Sequence, residues 1–116
     1  MKTMKRLMII FLVLHLASCA YNNLADFDQN TANKIVEISK MVNMFYLQLA
    51  DRDAADRQYS DFANEYMNIE VELEALLLMN QIIPLNEESI TQAQSTLELW
   101  QKYKNAHKKK IPIRMC

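Results

Sequence analysis

The chain has 116 residues, with 13 basic and 14 acidic side chains, a formal net charge of −1, no glycine and two prolines. This length supports one small domain, and the near-neutral balance offers no cationic excess for nucleic acid. A lack of glycine argues against sheets joined by tight turns, while abundant Leu, Met, Ala, Glu, Gln and Lys favour helices.

Taken in order, the chain begins with Lys2, Lys5 and Arg6, a positive head, followed by an apolar run from Leu7 to Leu16 broken only by His15. Such a run falls short of the ~30 Å that a membrane helix must span at ~1.5 Å per residue. It predicts a cleaved signal rather than a spanning anchor. The run closes on Leu16-Ala17-Ser18-Cys19, which resembles the lipobox of bacterial lipoproteins. That resemblance implies cleavage before Cys19, a diacylglyceryl group on its thiol, and an acyl group such as palmitate on the new amino terminus. Each buried CH₂ contributes ~0.8 kcal/mol, so several chains make a durable anchor where one is marginal. Within the same class, Ala20 in place of an aspartate points to the outer membrane, facing the periplasm.

Processing would divide the chain into a signal (1–18), a lipidated cysteine with a short tether (19–23), a helical domain (24–110) and a tail (111–116). The loss of Lys2, Lys5 and Arg6 takes the formal charge from −1 to −4. Cys116 is then the one free thiol, able to reach another chain or to stay unpaired.

The first helix is expected over Leu24 to Ala50, with Leu24, Phe27, Ile35, Ile38, Val42, Phe45 and Leu49 on its apolar face. The second carries a seam of alternating threes and fours: Tyr59, Phe62, Tyr66, Ile69, Leu73 and Leu76. Asp53 is a candidate N-cap for it. Alternatively, residues 53–59 prolong the first helix and Ser60 caps the second. Pro84 ends the second helix near Gln81 or Ile82. Asn86 can cap the third helix, Glu87 and Glu88 suit its positive end, and Leu85 and Ile90 are spaced for a hydrophobic staple. Ile90, Ala93, Leu97, Trp100 and Tyr103 form its apolar face. The expected fold class is all-α: an antiparallel up-down-up three-helix bundle, or else a long two-helix hairpin with a third helix packed on it.

A second stripe on helix two (Met67, Val71, Ala75, Leu78 and Ile82) lies roughly 160° from the seam at 100° per residue. Two readings are open: central burial between the other helices, or an interface for a second copy or a partner protein. Residues 51–98 carry eleven acidic and two basic side chains, whereas residues 99–116 carry six basic and no acidic ones. The basic end, with Lys104, Lys108, Lys109 and Lys110, is therefore a candidate contact for the acidic turn or for an acidic partner. The turn Asp51-Arg52-Asp53-Ala54-Ala55-Asp56 lacks the glycine and closing glutamate of a calcium loop. His107 has no ligand-spaced neighbour, so no metal is expected, and its place suggests interaction with the helix dipole. The methionines read as core filler.

The chain shows no nucleophile elbow, no phosphate-cradling glycine loop and no histidine pair, and no cofactor is expected. The sequence predicts a non-enzymatic protein, an envelope lipoprotein that acts as an adaptor or accessory subunit. An immunity or exclusion lipoprotein, or a self-assembling structural one, is the alternative. The lipid anchor would hold it at the membrane, and a homo-oligomer or an envelope protein would be its partner.

Overall fold

The computed structural model describes Met1 and residues 27–109. They form three α-helices: α1 (Gln29–Ala50), α2 (Ala63–Gln81) and α3 (Glu87–Lys108), with two short 3₁₀ turns at Ala54–Asp56 and Tyr59–Phe62 between the first two. The fold is the expected all-α three-helix bundle. α2 runs down the middle and packs on both neighbours, while no Cα of α1 lies within 8 Å of one in α3.

α1 starts later than the apolar periodicity suggests. Asp28 has extended backbone angles, and its carboxylate accepts from the Thr31 N–H at 2.8 Å and the Thr31 hydroxyl at 2.5 Å. This cap satisfies one of the orphan amides of the first turn and fixes the start at Gln29. The Thr31 hydroxyl above all, then the Thr31 amide, hold the Asp28 carboxyl below its ordinary value against a small opposing effect of burial. Phe27 therefore precedes the helix and is 80% exposed, and Ile35 is exposed as well. Neither belongs to the core, contrary to the expected face. α1 instead buries Ile38, Phe45 and Leu49, with Met41, Val42 and Tyr46 packed beside them. Leu24 lies outside the described residues.

The seam is buried as its spacing predicts, though its first two residues precede α2: Phe62 is core and Tyr59 partly covered in the second 3₁₀ turn, and Tyr66, Ile69, Leu73 and Leu76 of α2 are core. α3 contributes Ala93 and Trp100, with Leu97 beside them. Phe45 sits at the centre. Its ring meets Phe62, Tyr66 and Trp100 edge-on, with centroids 5.8, 4.7 and 5.3 Å away. Such edge-to-face pairs add about 0.5–1.5 kcal/mol each beyond area burial. The Trp100 indole N–H donates to the Tyr66 backbone carbonyl at 3.0 Å, so the largest core ring leaves no polar atom unsatisfied.

The α1–α2 connection is not a tight turn. Neither Asp53 nor Ser60 caps α2: Asp53 precedes the first 3₁₀ turn without a capping side-chain bond, and Ser60 lies inside the second. Side chains organise the connection instead. Arg57 Nε donates to the Arg52 carbonyl at 2.9 Å. Arg52 pairs with Asp61 at 2.9 Å and places its guanidinium 5.1 Å from the Phe62 ring centroid. Buried Phe62 then leads the chain into α2.

The α2–α3 turn is built on two buried asparagines. Asn80 Nδ2 donates to the Leu76 carbonyl at 2.8 Å. Asn86 Nδ2 donates to the Asn80 backbone carbonyl at 3.1 Å and to Asn80 Oδ1 at 2.8 Å. Asn86 thus stands at the head of α3 but turns its side chain to the end of α2 rather than capping its own helix. Leu85 does not form the expected covering staple. It is 65% exposed, with φ 57°, a left-handed conformation that costs an L-residue roughly 1–2 kcal/mol.

Candidate interaction surfaces

The outer stripe of α2 lies opposite the seam, so helical geometry alone turns it away from both neighbours. Met67, Val71 and Leu78 are 56, 55 and 62% exposed and Ile82 is 82% exposed, while Ala75 is half-buried. The reading of this stripe as buried core is therefore overturned. Met67, with Met44 on α1, also departs from the expected role of methionine as core filler, since both are exposed. Four large apolar side chains along one helix face make a patch on the order of a few hundred Å², a scale that marks interaction sites.

Two ionic clasps divide the stripe from the seam. On one side Glu72 accepts from Lys34 of α1 at 2.8 Å. On the other, Glu70 accepts from Gln101 of α3 at 2.9 Å and pairs with Lys104. Their acid groups guard the flanks of the helix while the seam stays dry beneath them. The Lys34 ammonium is raised above its ordinary value, chiefly by its hydrogen bond to Glu72 and then by Glu37. For Glu70 burial pushes upward, but the hydrogen bonds from Lys104 and Gln101, together with the Lys104 charge, outweigh it and hold the carboxyl below its ordinary value.

A carboxylate lowered in the fold stabilises it above the unfolded value of 4.5, and that contribution disappears as pH falls through the folded value beneath it. Glu70→Gln should therefore flatten the acid limb of stability. Urea denaturation from about pH 3 to pH 7 checks this, and superimposable acid limbs for native and Glu70→Gln protein would remove Glu70 as a contributor.

The clasps also decide which charges remain free. Lys104, expected as a basic contact for a partner, is engaged by Glu70 and is three-quarters covered. Lys108 lies 5.8 Å from the Tyr59 ring centroid and Lys109 is exposed. Glu65 and Glu74 form no ion pair among the described residues, and α2 has no lysine or arginine from Ala63 to Gln81. The outer face of α2 is thus apolar with acidic flanks.

A second surface is concave. Because α1 and α3 stand apart, a groove of about 460 Å³ opens between them, floored by Ile38, Leu73 and Trp100 and walled by Val42, Tyr46, Leu99 and Tyr103. Ser39, Asn43 and Thr96 complete an uncharged lining. Burial raises the Tyr46 phenol above its ordinary value, with a smaller effect from Tyr103.

His107 is a clasp that sequence spacing did not reveal. Nε2 lies 2.8 Å from the Arg57 carbonyl and Nδ1 lies 3.1 Å from the Tyr66 hydroxyl. The carbonyl can only accept, which assigns a proton to Nε2; Nδ1 can then accept from the phenol. Burial above all, then Tyr46 and Tyr59, push the Tyr66 phenol up to about 12, so it keeps its proton at neutral pH. The ring ties the α1–α2 connection to the end of α3 and is engaged at both nitrogens. Its expected role, interaction with the helix dipole, is at most a part of this.

Among the described residues, no group of three or more His, Cys, Asp or Glu side chains is placed to hold a metal ion, and no helix is long and apolar enough to cross a membrane. The lipobox residues Leu16, Ala17, Ser18 and Cys19 lie outside the described residues, as do Lys110 and Cys116. No protein-family model, curated protein or solved structure matches this chain.

Proposed function

We propose that this protein is a lipid-anchored envelope protein that works by binding, with the outer stripe of α2 as its docking surface. It joins an envelope assembly as an adaptor or accessory subunit. The observation that carries this reading is the exposure of Met67, Val71 and Leu78 on a face the bundle does not use. Burying apolar area contributes about 25 cal/mol per Å², so a complementary helix has a substantial driving force for docking there.

Charge selects among occupants. Glu74 is exposed beside the stripe, and no cation of α2 balances it. A second copy laid antiparallel on the same face would bring Glu74 near its own counterpart, a like-charge contact that opposes self-assembly. A partner helix with an apolar stripe and lysine or arginine on its flanks meets both requirements.

The anchor rests on Leu16-Ala17-Ser18-Cys19 after a basic head and a short apolar run. Cys19→Ser removes the thiol that would carry the lipid. The expected result is loss of labelled-palmitate incorporation and accumulation of an unprocessed chain with its signal attached. Processing and labelling unchanged by Cys19→Ser would defeat the anchor while leaving the docking surface to be judged by its own substitutions.

A further inference from the structure

The end of the bundle where α2 turns into α3 presents a group of apolar side chains separate from the body of the stripe. Ile82 is 82% exposed, Leu85 65% and Phe27 80%. The Lys34–Glu72 bond sets the level of α1 against α2. Phe27 lies seven residues before Lys34, and Ile82 lies ten after Glu72. In antiparallel helices both steps lead the same way, by about 10 and 15 Å at 1.5 Å per residue. Phe27 and the α2–α3 turn therefore share one end of the molecule.

The turn itself carries no charge, and the acids Asp28, Glu87 and Glu88 border it. Ala75 to Asn86 contains no ionisable side chain. Asn80 and Asn86 hold the turn from within through three buried hydrogen bonds, so Ile82 and Leu85 project from a braced turn. Leu85 occupies left-handed backbone that glycine or asparagine adopts readily, and its exposed side chain gains little packing in return. Strain held without compensation inside the fold points to compensation outside it.

We infer that this end rests on a lipid bilayer of neutral headgroups, with Phe27, Ile82 and Leu85 inserted at the headgroup–acyl boundary. Three features favour that occupant. The chain joins the bundle at this end, at Phe27, only eight residues after Cys19; extended, such a length reaches at most about 28 Å. This point rests on the lipid-anchor reading given above. Next, the nearest acids, Asp28, Glu87 and Glu88, face no free cation on the turn, which suits a zwitterionic surface and opposes an anionic one. Last, three side chains per copy fall far short of the ~800 Å² per partner of a stable protein interface, whereas shallow insertion of a few apolar groups is enough to orient a body already tethered.

Ile82 thus marks where the docking stripe meets the membrane. A partner using Met67, Val71 and Leu78 would lie along a helix standing up from the bilayer, and the Asp51–Asp61 connection would face away from it.

The test uses the full chain, isolated from cells and reconstituted in phosphatidylcholine vesicles with and without brominated acyl chains. Ile82→Trp is compared with Ala55→Trp on the opposite end, and the native chain supplies the constant signal of buried Trp100. The expected result is quenching at position 82 about threefold or more above that at position 55, with a blue shift on vesicle binding. Equal quenching at the two positions, or a chain that does not associate with the vesicles, overturns the inference. Quenching at position 82 in a chain that carries no acyl group would support it and count against the anchor; absent quenching in an acylated chain would do the reverse.

Discussion

Phe45→Ala should cost about 3–5 kcal/mol, the range for deleting a buried phenylalanine. Phe45 is 2% exposed and its ring touches the aromatic residues of both other helices. Removing it leaves a cavity where α1, α2 and α3 meet, and rings as large as Trp100 and Tyr66 cannot collapse into it without breaking the indole hydrogen bond. A domain of this size has about 5–15 kcal/mol of total stability, so the loss is a large share of it. At roughly 4–8 °C per kcal/mol, the thermal midpoint should fall by ten degrees or more. Circular dichroism melts decide the matter, and a midpoint within about 3 °C of the native protein would show that Phe45 is not the centre of the core.

The opposite outcome is expected on the far side of α2. Val71→Lys with Leu78→Lys should change stability by no more than about 1 kcal/mol, because both side chains are more than half exposed and surface substitutions away from caps, cavities and networks are usually near neutral. The long lysine stems can lie along the helix with their charges in water. A midpoint loss comparable to that of Phe45→Ala would mean that the stripe is core after all. The pair of experiments separates the two apolar faces of one helix, one holding the fold and the other free for a partner.

Both faces of α2 were legible in the sequence, because steps of three and four residues record which side chains share a side. The periodicity could not say which neighbour covers which face. The seam from Tyr59 to Leu76 and the termination before Pro84 followed directly from spacing and from proline sterics. On α1 the same reasoning over-reached: Phe27 and Ile35 keep the apolar register, yet the Asp28 cap starts the helix after Phe27, and Ile35 is left exposed. The connection between α1 and α2 was the least legible part. With no glycine or proline to mark it, its path depends on bonds between distant residues, above all the one joining His107 to the Arg57 carbonyl, fifty positions apart. Asn86 had the right residue type for a cap, but the buried Asn80 side chain offered it a better partner. The engagement of Lys104 was equally invisible, since Glu70 comes beside it only when α2 and α3 pack. Charge segregation leaves the basic end two readings, internal pairing or an acidic partner, and at Lys104 the internal one holds, with Glu70 of α2 rather than the acidic turn as its partner.

The most direct test of the docking surface is photo-crosslinking in intact envelopes. A photoreactive side chain is placed at position 71 or 78 of the full chain, and at exposed Ser95 of α3 as the comparison. Adducts to one protein are expected from positions 71 and 78 and not from 95, with the linked peptide showing an apolar helical stripe flanked by lysine or arginine. Adducts that are equal at all three sites, or absent from 71 and 78, would contradict a partner seated on the outer face of α2.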